Sequence, residues 1–394
     1  MAPRQRSVRA RLLHFALDMV LSPASSAPHT QVTFLACRSG AREHEIASQR
    51  HVAERLSALL GCAFAEAHDE TGSLRGPLGY VVPNDTLDSV ERAHALGIRS
   101  AHDLYGGVVP FPFVATKAIT HPLIGPAAAA PDGWQPAFAE RVREVVLPGF
   151  SAFSIEDARE AGRLLLAAGD VRVKLASGIG GAGQSVARDE SELEAQLAAL
   201  GDAEIARHGV VLERNLAALR THSVGLLQVG GLQTSYFGTQ RTTPNRHGAE
   251  VYGGSSLTVA RGGLDALERL TDDPGVHRAL AQAATYHAAA LASFAGFFAS
   301  RCNYDVAEGR DAAGTTYSGV LEQSWRLGGA SGAEIAALEV LHRDPARTAV
   351  RTSTTELHRA DVTVPDGATV YYAGTDPHLG PIVKYAEVHA DARA

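Results

Sequence analysis

VRVKLASGIGGAGQS, residues 171–185, is a short apolar strand with one lysine that runs directly into a loop carrying four glycines. Val171, Val173 and Leu175 fall on one face of such a strand and Lys174 on the other, where its ammonium reaches a ligand. Gly178, Gly180, Gly181 and Gly183 let backbone N–H groups approach a polyphosphate with no Cβ in the way. Three phosphate-binding patterns compete here. Gly178, Gly180 and Gly183 satisfy G-x-G-x-x-G, but that dinucleotide fingerprint needs a helix opening at the loop. Gln184–Ala187 reads as extended instead, with the next helix starting near Asp189–Ser191. Gly178–Ser185 also spells a P-loop with glutamine in place of its lysine. A lysine strand, a glycine turn and a returning strand remain, against the plainer alternative of a flexible hairpin with a solvated lysine.

The second signal is the hairpin from FFASRCNYDV to YSGVLEQSW. Arg301, Asn303 and Asp305 share one strand face, and Glu322, Ser324 and Arg326 share another. With those faces together, Asp305 and Glu322 stand side by side. Two such carboxylates repel unless a divalent cation sits between them, and Mg²⁺ accepts one or two carboxylates plus phosphate oxygens and water. The arginines are then available to hold a substrate or a transferring phosphate. A solvated polar hairpin with an Arg–carboxylate pair is the competing reading.

From about Lys117 to Glu334 the order of these features resembles the ATP-grasp superfamily. The resemblance implies an N-terminal α/β domain followed by two α+β lobes enclosing ATP, with Mg²⁺ on paired acids and a carboxylate activated as an acylphosphate. Lys174 matches the lysine of the nucleotide-covering lobe, and residues 178–183 its glycine loop. VVLERNL matches the hinge: Glu213 meets the adenine amine, and the backbone of Arg214, Asn215 and Leu216 lines the base. Lys117 in VATKAITH is a weaker match to the first phosphate lysine. Asp305 and Glu322 match the metal ligands, and Arg326 the last residue of E-x-N-x-R. Arg326, with Arg301 as a second, then stabilises the transferring phosphoryl group. The chain departs from the family in places. Ser324 replaces the asparagine that supplies a third metal contact, and the ribose acid is missing, with His222 as a substitute. The hairpin turn is long, which makes Asp311 a rival to Asp305.

The implied activity is a Mg·ATP-dependent ligase that activates a carboxylate for attack by an amine or thiol. The alternatives are a kinase or a non-catalytic ATP-binding regulator on the same fold, and, more remotely, an NAD(P) oxidoreductase. The implied partners are small-molecule carboxylates with amines or thiols, and homodimerisation is left open.

Composition sets the frame. With 45% hydrophobic and 20% charged residues, the 394-residue chain reads as an ordinary globular protein of two or three packed units. A net charge of −7 with no basic stripe argues against a nucleic-acid surface. Cys37, Cys62 and Cys302 form no metal or disulfide pattern, so a reducing cytoplasm fits best. No run reaches the ~18 apolar residues of a membrane span.

Residues 1–30 read as an unstructured tail or an early start, 31–124 as an α/β domain and 125–212 as the first lobe. Residues 213–345 read as the second lobe and 346–394 as a β-rich extension. The polar stretch 239–254 reads as a substrate loop, and Gly328, Gly329 and Ser331 as N–H donors at a helix start.

Overall fold

The computed structural model describes residues 29–178 and 183–390. Gly180, Gly181 and residues 1–28 of the tail expected over 1–30 lie outside the described residues. In the N-terminal unit, β1 (Gln31–Ala36) runs parallel to both β2 (Ala63–His68) and β3 (Tyr80–Pro83). Parallel neighbours require crossovers, and α1 (Glu43–Leu60) supplies the first, burying Val52, Ala53 and Leu56. The short α2 (Val90–Ala95) starts where Ser89 Oγ accepts from the Arg92 amide. A two-residue strand, β4 (Gly107–Val108), pairs with β12 (Phe298–Ala299) and ties this unit to the larger body.

After α3 (Pro136–Val142) the first lobe is a four-stranded antiparallel sheet with helices on one face. Its strands are β5 (Gly149–Ala152), β6 (Val171–Leu175), β7 (Gln184–Ala187) and β8 (Val210–Arg214), in the order β5-β8-β6-β7. The helices are α4 (Ile155–Leu166), capped by Ser154, α5 (Glu190–Leu200), capped by Asp189, and α6 (Asp202–His208). Val171 and Val173 of the lysine strand pack with Leu165, Leu197 and Leu212 in the lobe's core. Residues 184–187 are therefore a strand rather than the helix the dinucleotide pattern demands. The lobe's sheet runs through Arg214, past the boundary expected at residue 212.

The rest of the chain builds one antiparallel eight-stranded sheet. Its members are β9 (Ala217–Val229), β10 (Leu232–Pro244), β11 (Glu250–Arg261), β13 (Arg301–Arg310), β14 (Thr316–Ser324), β15 (Ala349–Leu357), β16 (Thr369–Asp376) and β17 (Gly380–His389). The order is β14-β13-β9-β10-β11-β15-β17-β16. One face packs on α7 (Leu264–Glu268) and the alanine-rich α8 (Pro274–Ser293); the other packs on α9 (Ser331–Arg343) and α1. Small residues let α8 lie close to the sheet, where Leu280, Ala283, Tyr286 and Ala290 are buried.

Two expectations change. The stretch 239–254 is mostly the paired ends of β10 and β11, and only residues 245–249 lie between the strands. Its threonines favour extended pairing despite their polarity. The last strands are not a separate extension either. β15 pairs with β11 over Ser256–Ala260, so they continue the second lobe's sheet.

Deleting residues 346–394 therefore strips β15, one of its two partners, from β11 and uncovers α9. The truncated chain is expected to be insoluble or to lose cooperative unfolding in urea. A soluble product with the full-length transition would make those strands an appendage.

Candidate functional site

The polar hairpin adopts the expected register. Asp305 lies opposite Glu322 and Asn303 opposite Ser324 on β13 and β14. One residue later the register slips, since Val306 pairs with Val320 and leaves Leu321 as the extra residue of a bulge. The bulge turns both Leu321 and Glu322 toward one cleft of about 490 Å³, which Asp305, Ser324 and Arg326 also line. Strict alternation would have put Leu321 on the far side.

The two acids differ in environment. Asp305 Oδ1 accepts from Ser223 Oγ at 2.9 Å, Asn303 Nδ2 at 3.0 Å and Gln240 Nε2 at 3.1 Å. Burial, and then the neighbouring Glu322 charge, push its pKa above the usual aspartate value. Glu322 is a third exposed, and its Oε2 lies 2.8 Å from Lys117 Nζ. Lys117, itself buried, sits at the start of a 3₁₀ turn (Lys117–Thr120) and also donates to the Gly178 carbonyl at 2.7 Å. A single ammonium thus joins the glycine loop to the hairpin acid. Among the described residues no cluster of three or more His, Cys, Asp or Glu stands ready for a metal.

On the first lobe, Lys174 projects from β6 into the cleft and pairs with Glu213 of β8. His121 Nε2 approaches the other Glu213 oxygen at 3.2 Å. All three side chains are buried. Burial would raise the Glu213 carboxyl, but Lys174 and His121 outweigh it and hold the pKa at about 2. Next in the chain, the Arg214 amide donates to the Pro148 carbonyl at 2.9 Å and the Asn215 amide to Asp170 at 3.0 Å. Those two amide donors are engaged within the protein, while Arg214 and Leu216 themselves border the cleft. Leu216, with Leu147 and Leu321, gives this end of the cleft an apolar wall. Gly178 and Gly183 flank the part of the glycine loop that lies outside the described residues.

Several other expectations change. His222 faces away from the cleft: Thr221 and Ser223 line it, while His222 points with Arg220 into a second cavity beyond the sheet. The period-2 rule decides this once Ser223 is seen to contact Asp305. Arg301 borders the cleft, but its guanidinium is committed. It pairs with Glu334 at 2.6 Å and donates to the Arg326 carbonyl at 2.6 Å and the Ser324 carbonyl at 3.2 Å. Only 2% exposed, it positions the strand end rather than meeting a phosphate. Asp311 lies in the hairpin turn, 3.9 Å from Arg214 Nη1 and accepting from the Thr315 amide, and does not line the cleft. Arg326 does line it, with Nε 3.6 Å from Asp85.

The far end of the cleft was not legible in the sequence. Tyr252, Glu356, Tyr371 and Lys384 close it, beside the turn 328–332 that opens α9. Glycine is required in that turn, since a Cβ at Gly329 would stand 2.4 Å from the Tyr252 ring and one at Gly332 2.9 Å from the Tyr371 ring. The signal available was the clustering of glycines after Arg326, which read only as a helix start.

Two stability measurements test these electrostatics. Lys174→Ala strands the Glu213 charge in the interior and is expected to cost about 3–5 kcal/mol in urea unfolding, partly recovered in the Lys174→Met/Glu213→Gln double variant. Because the Glu213 pKa lies near 2 rather than at the ordinary 4.5, its contribution is full above 4.5 and fades as pH falls towards 2. Wild type should lose more stability across that window than Glu213→Gln.

The sign reverses at Asp305, whose raised pKa makes the ionised form unfavourable to folding. Asp305→Asn is expected to unfold at higher urea than wild type at neutral pH without divalent metal. The gain should vanish below the ordinary aspartate value of 3.8. An Asn variant that unfolds earlier at neutral pH would mark Asp305 as part of a structural hydrogen-bond network.

Comparison with known proteins follows from this geometry. Among solved structures the chain is similar to the biotin carboxylase domain of 2-oxoglutarate carboxylase from Hydrogenobacter thermophilus, solved with MgADP, ADP and bicarbonate. The two are 14% identical over 92% of this chain and 87% of that one, with a TM-score of 0.47. It is also similar to phosphoribosylamine–glycine ligase from Thermotoga maritima, at 12% identity over 92% and 93% of the two chains and a TM-score of 0.49. A third is a RimK-domain ATP-grasp protein from Sphaerobacter thermophilus, at 13% identity over 75% and 91%, with a TM-score of 0.39. No curated protein sequence matches. A family model described as a protein of unknown function, DUF3182, matches residues 32–386, nearly the whole described chain. The chain belongs to the DUF3182 family.

Proposed function

We propose that the protein is an ATP-grasp enzyme that binds Mg·ATP between its first lobe and its large sheet and activates a carboxylate for attack by an amine or thiol. The observation that carries this reading is the pair Asp305–Glu322, in register on adjacent strands and lining one cleft with Lys174, with the buried Lys117 in contact with Glu322. An acidic wall opposite a cationic wall is the charge arrangement that a metal–polyphosphate complex fits. The donor set suits Mg²⁺, which takes one or two carboxylates and completes its shell with phosphate oxygens and water. Burial and then the neighbouring Glu322 charge raise the Asp305 pKa, and a cation between the two acids would offset both.

Each residue then has a task. Leu147, Leu216 and Leu321 form an apolar slot for a base. Lys174 and Lys117 offset phosphate charge, and Arg326 lies beside the acids where a transferring phosphoryl group is held. Mg²⁺, when bound, neutralises phosphate oxygens. Phosphoryl transfer asks a protein chiefly for positioning and charge stabilisation, which these groups provide without a dedicated base. The substrate carboxylate takes the terminal phosphoryl group, ADP leaves, and the amine or thiol displaces phosphate.

A second reading has one specific observation in its favour. Ser324 stands where a longer amide is expected, and its hydroxyl lies 3.5 Å from Arg301. That leaves two carboxylates alone for the metal and suits a kinase or a protein that binds ATP without ligation.

Coupled-enzyme assay of ADP release with candidate carboxylates, with and without amines and thiols, separates the two. Ligation predicts ADP and phosphate formed together only with both substrates present. ADP formed without phosphate would indicate a kinase. Glu322→Gln and Asp305→Asn are each expected to lower Mg²⁺-dependent turnover by at least about a hundredfold, the loss of one preorganised electrostatic contact. Asp311→Asn should leave it near wild type. Full activity in Asp305→Asn would remove the metal site from this hairpin.

A further inference from the structure

The far end of the cleft is built from elements unrelated to the phosphate-facing residues. α1 contributes His44 from one side, and the last three strands contribute Glu356, Tyr371 and Lys384 from the other. Glu356 and Lys384 lie directly opposite each other on β15 and β17, with Lys384 Nζ 3.1 Å from Glu356 Oε2. Both side chains are largely buried, at 13% and 7% exposure, yet both border the cleft. A second pair of opposite charges, Arg38 and Glu45, borders the same end.

His44 is the independent observation. It is 4% exposed, and neither ring nitrogen has a hydrogen-bond partner among the described residues. The nearest acid oxygen, Asp376 Oδ2, lies 3.9 Å from Nε2, beyond hydrogen-bond distance, while Asp376 Oδ1 accepts from the amides of His378 and Leu379 at 2.8 and 2.9 Å. A buried imidazole with both nitrogens unmet, on the wall of a cavity, is costly unless something in the cavity completes it.

We propose that this end of the cleft is a subsite for a zwitterionic substrate, a small amino acid whose ammonium pairs with Glu356 and whose carboxylate pairs with Lys384 and His44. The argument is one of charge complementarity. A lone anion gains Lys384 but meets Glu356 on the neighbouring strand, and a lone cation meets the reverse. Only a molecule carrying both signs satisfies both halves of the pair without leaving a buried charge unmatched. The net neutrality of the Glu356–Lys384 and Arg38–Glu45 pairs fits a neutral ligand. The subsite deepens the ligase reading by naming a substrate class, and it assigns a role to the last strands.

The test is calorimetry on the full chain. Mg·AMPPNP is titrated first; then the standard α-amino acids, β-alanine, their amides and their N-acetyl derivatives are titrated with and without it. At least one free amino acid is expected to bind at least about tenfold more tightly than both its amide and its N-acetyl form, since each lacks one charged contact. Lys384→Gln should abolish discrimination against the amide, and Glu356→Gln discrimination against the N-acetyl form. The Lys384→Met/Glu356→Leu double variant, with no unpaired charge to unfold it, should bind none of the three. Binding of Mg·AMPPNP with wild-type affinity checks that each variant is folded.

If AMPPNP binds and no amino acid does, or amides and N-acetyl derivatives bind equally well, the subsite is overturned and the nucleotide reading stands. If amino acids bind with the expected discrimination and AMPPNP does not, the subsite stands and the nucleotide reading falls.

Discussion

One carboxylate with no exposed surface sets the geometry of this protein. Glu334, in the first turn of α9, receives Arg301 from β13, Tyr236 from β10 and Tyr105 from the N-terminal unit. Burial alone would drive that carboxyl neutral; Arg301 and the two phenols keep it charged, with a pKa below the ordinary range. A buried ion pair adds little net stability, but losing either partner leaves an intolerable charge, so it fixes one arrangement. The remaining donors of Arg301 hold the carbonyls of Ser324 and Arg326. The end of β14, and with it the facing of Glu322, Ser324 and Arg326, is thereby tied to α9 and to the N-terminal sheet. Close approach makes the arrangement possible: Tyr236 lies against Gly225, where a Cβ would stand 2.1 Å from its ring.

The cleft is organised by sign. Lys174 and Lys117 come from the first lobe and the 3₁₀ turn before it, and Asp305 and Glu322 come from the hairpin of the large sheet. Lys117 spans the two, bonded to the Gly178 carbonyl and to Glu322. Lys174 and Glu213 satisfy each other instead. Any polyphosphate entering here exchanges partners with these lysines rather than meeting free charges. Its affinity is therefore a difference between two sets of ion pairs, which keeps it sensitive to the acids as well as to the lysines.

Much of this was legible because period-2 alternation is a strong constraint wherever one strand face is polar. Arg301, Asn303 and Asp305 share one face and Glu322, Ser324 and Arg326 another, and the chain pairs Asp305 with Glu322 and Asn303 with Ser324. The lysine strand and the helices capped by Ser154 and Asp189 were readable for the same reason, since the signals are local. Long-range choices were not. Nothing near Lys117 announces Glu322, which lies in another part of the fold, and nothing near Arg301 announces Glu334. His222 as a substitute for the ribose acid follows from the resemblance, whereas its parity with Ser223 puts it on the other face of the sheet. The polar, glycine-rich and basic composition of 239–254 reads as a loop, although threonine-rich chain pairs well on a sheet. The last strands carried no motif, and only pairing with β11 reveals what they complete.

The two ends of the chain also meet. α1 packs against α9 and β16, and Arg55 of α1 pairs with Glu339 of α9. During synthesis at roughly 5–20 residues per second, on the order of tens of seconds separate the emergence of α1 from that of its partners. β1, β2, β3 and α2 find one another early, since their contacts are near in sequence. The face of α1 that meets α9 and β16 does not; it waits for those later elements. Folding therefore ends in a single closure whose contacts span most of the chain, a topology that slows the final step. Until that step, the nascent protein carries an uncovered helix face of the kind that chaperones engage.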